Sequence, residues 1–124
     1  MQHKMGWISG LLLAVGVVST AHAERLEHFK GLPAETLEEA VSNLSEYNRK
    51  LGGVLAADEL SVADMAEIHE LTYTLENALE RINEELAELA EILEEVHVAS
   101  ETGDFDAALH RGRVYLDTAR KVIE

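Results

Sequence analysis

The most ordered set of potential ligands in the chain is Glu94-x-x-His97-x-x-x-Glu101. Spacings of three and four residues put two carboxylates and an imidazole on one helical face, where they could hold a divalent cation. Di-iron carboxylate bundles use two Glu-x-x-His helices plus two further Glu. This chain has one such motif, in a segment so rich in Glu that the spacing arises by chance, and a solvated helix end accounts for the same residues. A second pairing, Met65-x-x-x-His69, joins a thioether to an imidazole, a combination that suits a soft copper ion. Met65 also opens an apolar seam, and His69 flanks that seam beside Tyr73. Haem needs axial ligands from opposite sides of a ring. Met65 and His69 share a helix and cannot clasp one ring within one chain, and a bis-His site built on His110 has no marked partner. No cofactor is expected.

Signatures of other chemistry are missing. Gly52-Gly53 lacks the spacing of a phosphate loop and the Lys-Ser/Thr that follows one. Ser61 and Ser100 read as a helix cap and a helix-end residue, and neither they nor Ser42 and Ser45 stand in a nucleophile elbow. The chain has no Cys, which excludes disulfides, thiolate metal sites, Cys nucleophiles and covalently attached c-type haem. Carboxylate pairs are plentiful, but a pair on a solvated helix face has little to shift its pKa. The expectation is a protein that is not an enzyme.

Those residues lie on helices that the sequence marks out. Pro33 is the only proline and suits the first turn of a helix, with Glu35, Glu38 and Glu39 near the positive end of its dipole. Apolar residues then recur at helical spacing from Leu37 through Val41, Leu44 and Leu51 to Ala57, which predicts a helix over about 34–57 with a soft spot at Gly52-Gly53. Ser61, with Asp64 three residues on, reads as a capping pair. From there Met65, Ile68, Thr72, Leu75, Leu79 and Ile82 begin a seam whose 3, 4, 3, 4 spacing continues through Leu86, Leu89, Leu93 and Val96 to Ser100, a coiled-coil-like pattern. It predicts a long helix over about 61–101. Gly103 ends it, Asp104 caps the next, and a third helix runs over about 104–123.

The fold class expected is all-α, an antiparallel helical bundle in which one long central helix is flanked by two shorter ones, folded back by short turns. The alternative is an up-down four-helix bundle, with the long helix kinked near 83–85. The spine should be met by basic residues: Arg111 near Glu94, Arg120 and Lys121 near Glu84 and Glu85, Arg49 and Lys50 near Glu67 and Glu70. Each half of the spine with one partner is only a hairpin with a thin core. That predicts self-association, most simply as a two-fold homodimer with four-helix cross-sections.

The front of the chain reads as an address. Lys4 supplies a basic start, Trp7 to Val18 an apolar run of 12 residues, and Ala21-His22-Ala23 an A-x-A cleavage pattern. The run is shorter than the roughly 20 residues of a membrane span. Residues 1–23 are therefore expected to be a signal peptide cleaved after Ala23. Residues 24–124 would then form a single acidic domain, periplasmic or secreted. It carries 9 basic and 24 acidic residues, 9 − 24 = −15. Such a charge is repelled by nucleic-acid phosphates and by anionic lipid. The expected partners are a second copy or an unidentified protein, with no nucleic acid and no membrane after signal removal.

Three stretches carry a resemblance: His28-Phe-Lys-Gly-Leu-Pro-Ala-Glu-Thr-Leu-Glu-Glu-Ala40, Ser45-Glu-Tyr-Asn48 and Met65-Ala-Glu-Ile-His-Glu-Leu-Thr-Tyr-Thr-Leu-Glu-Asn-Ala-Leu79. They resemble an uncharacterised family of small, exported, all-helical bacterial proteins, a domain of unknown function. The resemblance implies a bacterial periplasmic setting and no activity. Ala99-Ser-Glu-Thr-Gly-Asp-Phe-Asp-Ala-Ala108 and Thr118-Ala-Arg120 are more faintly similar to cytochrome b562-type bundles. That family has a haem-ligating His near its end and a Met in its first helix. Here the end reads Lys121-Val-Ile-Glu124 and the first helix has no Met, so this likeness implies kinship of fold without haem ligands. The leading functional expectation is a non-enzymatic periplasmic helical protein acting through protein–protein interaction or self-association. The alternative is a periplasmic carrier of a metal ion or a haem-type cofactor, with Glu94, His97 and Glu101 as candidate metal ligands.

Overall fold

Thr36 starts the first helix. Its backbone is extended (φ −125°, ψ 161°) and its hydroxyl accepts from the Glu39 N–H at 3.2 Å, satisfying one of the donors that a helix start leaves free. In the computed structural model, which describes residues 30–123, α1 then runs Leu37–Leu55. The expected signal peptide, its junction after Ala23, and His28 lie outside the described residues. Pro33 does not open α1, as its position had suggested. It belongs to an extended strap before the helix, because the Thr36 cap sets the start three residues later. Gly52-Gly53 lie within α1 and do not end it.

The second helix begins with a reciprocal cap. The Ser61 hydroxyl accepts from the Asp64 N–H at 3.1 Å, and the Asp64 carboxylate accepts from the Ser61 N–H at 2.7 Å. From there α2 runs Val62–Thr102, 41 residues without a break, about 60 Å at 1.5 Å per residue. Nothing interrupts it at 83–85, so the kinked four-helix alternative is not what forms. Gly103 ends it in the left-handed region (φ 71°), where Gly is free of the Cβ penalty. The Asp104 carboxylate accepts from the Ala107 N–H at 3.0 Å and caps α3, Phe105–Ala119. The described residues are all-helical, with three helices and no strand.

Both α1 and α3 pack on α2, and their own helical bodies do not touch. α1 lies along the front of α2, with Leu37 and Ala40 against Ala78 and Ile82. α3 lies along the rear, where Arg111 meets Glu95. The two short helices meet only at their ends. Val122, just past α3, packs on the Leu37–Ile82 cluster, and Lys121 Nζ lies 2.8 Å from Glu38 Oε1. The basic residues therefore choose partners other than those expected. Arg111 takes Glu95 in place of Glu94. Lys121 forms its ion pair with Glu38 of α1, while staying close enough to Glu85 to feel its charge, as expected. Lys50 pairs with Glu46 one turn back in its own helix, at 2.8 Å and above the Tyr47 ring, rather than crossing to Glu67 or Glu70. A partner at i−4 on the same helix costs less ordering of long side chains than one on another element.

The strap before α1 fixes where α1 sits. Leu32 N–H donates to Thr74 Oγ1 at 2.9 Å, and Thr74 is fully buried. Asn77 Nδ2 donates to the carbonyls of Lys30 and Leu32 at 3.0 and 2.9 Å, and Arg81 Nε to that of Ala34 at 3.1 Å. Asn43 Nδ2 takes the Pro33 carbonyl at 3.2 Å. An irregular segment must place its backbone groups somewhere, and here one side of α2 supplies most of the partners. Gly31 makes the approach possible. Its φ is +68°, and a Cβ there would lie 2.7 Å from Thr74 N and 2.8 Å from the Tyr73 carbonyl carbon.

Two outcomes are expected. Gly31→Ala combines a left-handed backbone with a clash against α2 backbone. It should cost about 2–4 kcal/mol and lower Tm by at least about 8 °C in a thermal melt, with Thr74→Val smaller at about 1–3 kcal/mol for the orphaned Leu32 N–H. The Lys121 ammonium beside Glu38 holds that carboxyl below its ordinary value of 4.5. Its contribution is thus present above pH 4.5 and is lost as pH falls through the lower folded value. In Lys121→Met an NMR titration should find the Glu38 midpoint raised; an unchanged midpoint removes the pair.

Candidate functional site

The residues singled out for metal chemistry stay apart. His97 Nε2 lies 3.4 Å from Glu101 Oε1, both side chains more than half exposed, and Glu94 makes no third member. Among the described residues no group of three or more His, Asp or Glu comes together at a spacing that could hold a metal ion. His69 Nε2 lies 3.1 Å from the Tyr73 hydroxyl, with the rings edge-on at 5.0 Å, and Met65 is exposed beyond them. Carboxyls with lowered pKa are the structural ones: Glu38 beside Lys121, Glu46 beside Lys50, and Asp64 through its Ser61 hydrogen bonds. The buried polar side chain among the described residues is Thr74, which is already occupied by the strap. Among the described residues, the carboxyls with shifted pKa are exposed and tied to structural partners.

The feature that asks for an explanation is apolar. The α2 seam divides into two lines of seven-residue spacing. Leu75, Ile82 and Leu89 are buried, while Leu79 (47% exposed), Leu86 (41%) and Leu93 (45%) face solvent. α1 and α3 pack on α2 through positions beside the first line, Leu71, Ala78 and Ala99, and leave the second uncovered. α3 repeats the pattern at Leu109 (56%) and Leu116 (45%), seven residues apart, and Ile123, four residues past its end, is exposed as well. Scattered exposed leucines mean little, but an aligned apolar patch marks an interaction surface.

Both uncovered lines lie on one side of the α2–α3 layer. Ser100, which ends the α2 line, and the exposed Phe105, one turn before Leu109, share a recess with Ala99, Gly103 and Ala108. The opposite mouth of the same helix pair is polar, lined by Glu94, Glu95, Thr102 and Asp104 with Val98 and Ala107, and closed by the Arg111–Glu95 pair. Gly112 sits half-buried at the border between the packed face of α3 and its exposed line, and a Cβ there would meet nothing within 4 Å. The seam was readable from spacing; its division into a covered and an uncovered line was not. The signal that could have found it is the flanking set Leu71, Ala78, Ile92 and Ala99, which shifts the packed face away from Leu79, Leu86 and Leu93.

No described helix is long and apolar enough to cross a membrane. Neither a curated protein nor a solved structure matches the chain. A family model described as a family of unknown function, DUF6746, matches residues 1–124, and the chain belongs to that family.

Proposed function

We propose that this is an exported, non-enzymatic helical protein of the periplasm that works by binding a protein, itself or another, through the apolar side of its α2–α3 layer. The observation that carries the reading is the line Leu79, Leu86 and Leu93, each 41–47% exposed on a helix whose other seam line is buried. Fully burying a leucine stabilises by about 1.5–3 kcal/mol, so three half-exposed leucines leave a few kcal/mol for a partner to recover. The carboxylates that dominate α2, twelve against the single Arg81 over Val62–Thr102, keep such a surface soluble and repel phosphate-rich partners. Export rests on the leader pattern ending at Ala23.

Leu86→Glu with Leu93→Glu is the direct test. Far-UV circular dichroism should keep its helical signal, because neither side chain is buried, while self-association or partner capture falls at least tenfold. Undiminished binding by a folded double variant moves the interaction elsewhere. N-terminal sequencing of protein from a periplasmic extract should begin at Glu24; an intact Met1 in the cytoplasm removes the export assignment. Stoichiometric metal or haem in the purified protein would replace the binding reading with that of a carrier.

A further inference from the structure

We infer that α3 is a latched arm: it comes away from α2 about Gly103 while α1 stays docked, and its departure joins the two lines of the α2 seam into one surface. The use of that surface rests on the binding reading above; the arm itself does not.

The two short helices are held unequally. α1 buries Leu37 and Ala40 against Ala78 and Ile82, and the strap ahead of it is tied down by Thr74, Asn77 and Arg81. No residue of α3 is buried. Among the described residues, one ion pair joins the body of α3 to α2. It is Arg111–Glu95, with both side chains close to half exposed, where such a pair holds little. The firmer contacts sit past the end of the helix, where Val122 packs on the Leu37–Ile82 cluster and Lys121 meets Glu38. α3 is thus pinned at its tip. At its root stands Gly103, with open space where a Cβ would be. Hinges are residues at the ends of elements that absorb a change in backbone angle, and segments with few buried apolar contacts open first. A free helix of 15 residues is marginal in water, so undocking and loss of helix go together.

Opening changes what α2 displays. Over its rear half the regular seam reads Leu86, Leu89, Leu93, Val96 and Ser100. In the closed fold Leu89 is buried and Val96 half-buried, while Leu86, Leu93 and Ser100 stay outside. A facing helix reads both lines of such a seam together, and the closed chain never shows both. With α3 away the whole seam is presented, widened by Ile92 and Ala99. α3 therefore occupies in cis one half of the surface that the sequence spells out, and the contacts at its tip set how often the other protein meets the complete one. The front half of α2, under α1 and the strap, stays covered throughout.

The experiment is amide hydrogen exchange on the full chain as a cell produces it. Amides in the middle of α3 should exchange at least about tenfold faster than those in the middle of α1. Thr74→Val loosens the strap alone, so it should speed α1 and leave α3 within about twofold. Lys121→Glu with Val122→Asp should speed α3 at least about tenfold and raise the fluorescence of the neutral apolar dye Nile red. The chain has no Cys of its own, so Glu38→Cys and Lys121→Cys joined by a short bismaleimide re-pin the tip. Exchange in α3 should then slow below that of the natural chain, and the dye signal should fall. One common rate for α1 and α3 overturns the proposal, as does a Thr74→Val that speeds both alike. So does a tip variant that leaves α3 exchange or the dye signal unchanged, or a pinned chain whose α3 exchanges as before. Leu86→Glu with Leu93→Glu tests the binding reading without touching the tip, so either can fail while the other stands.

Discussion

The packing of the Gly31 backbone against the backbone of Tyr73 and Thr74 is the constraint on which the arrangement depends. It brings the strap close enough for Thr74 to take the Leu32 N–H, and for Asn77 and Arg81 to take three strap carbonyls. Those bonds place Leu37 and Ala40 over Ala78 and Ile82, so α1 is set before its own apolar face is counted. The same cluster receives Val122 from the end of α3. The strap, both short helices and the middle of α2 thus converge on one small core. In a domain of this size that core is modest, and hydrogen bonds between an irregular strap and side chains of α2 do part of the work that apolar volume does in larger proteins.

Local chemistry was legible wherever one residue type had one use. Ser61 with Asp64, Gly103 in the left-handed region, and Asp104 ahead of α3 each sit at the position their side chains dictate. Pro33 was ambiguous because proline suits both a first helical turn and an extended segment, and only the Thr36 cap decides between them. Thr74 was invisible as a core residue: a hydroxyl in an apolar stripe reads as an interruption until its partner, an N–H 42 residues away, is in place. The seam was legible as a period and not as a surface. Period alone cannot say which of two seven-residue lines is covered, because that depends on which side of α2 the short helices approach. The ion pairs were misplaced by a residue or a helix for a related reason, since long side chains choose among several carboxylates by reach.

The layer has two helices in every cross-section. A single neighbour covers about 100° of a helix, the width of an ordinary apolar stripe. On α2 the apolar arc is wider, running from Ala78 and Ala99 through Ile82 and Leu89 to Leu86 and Leu93. Small residues at the packed positions draw the helices together on one side of that arc and leave the large residues of the other side outside. An apolar arc wider than its cover is therefore built into a rod flanked end to end by two short helices, and no rotation of α1 or α3 alone would remove it without exposing Leu75 or Leu89.

Electrostatics sets what may approach. Glu80, Glu84 and Glu88 repel one another at i, i+4 by about 0.2–0.5 kcal/mol per pair. Among the described residues, relief from the α3 end reaches α2 through the Arg111–Glu95 pair and more weakly through Lys121, which pairs with Glu38 of α1 and feels Glu85 as well. Arg81 answers Glu84 and Glu85 from its own helix. The rod's helicity must come instead from its caps and its buried line, and its outer edge stays negative.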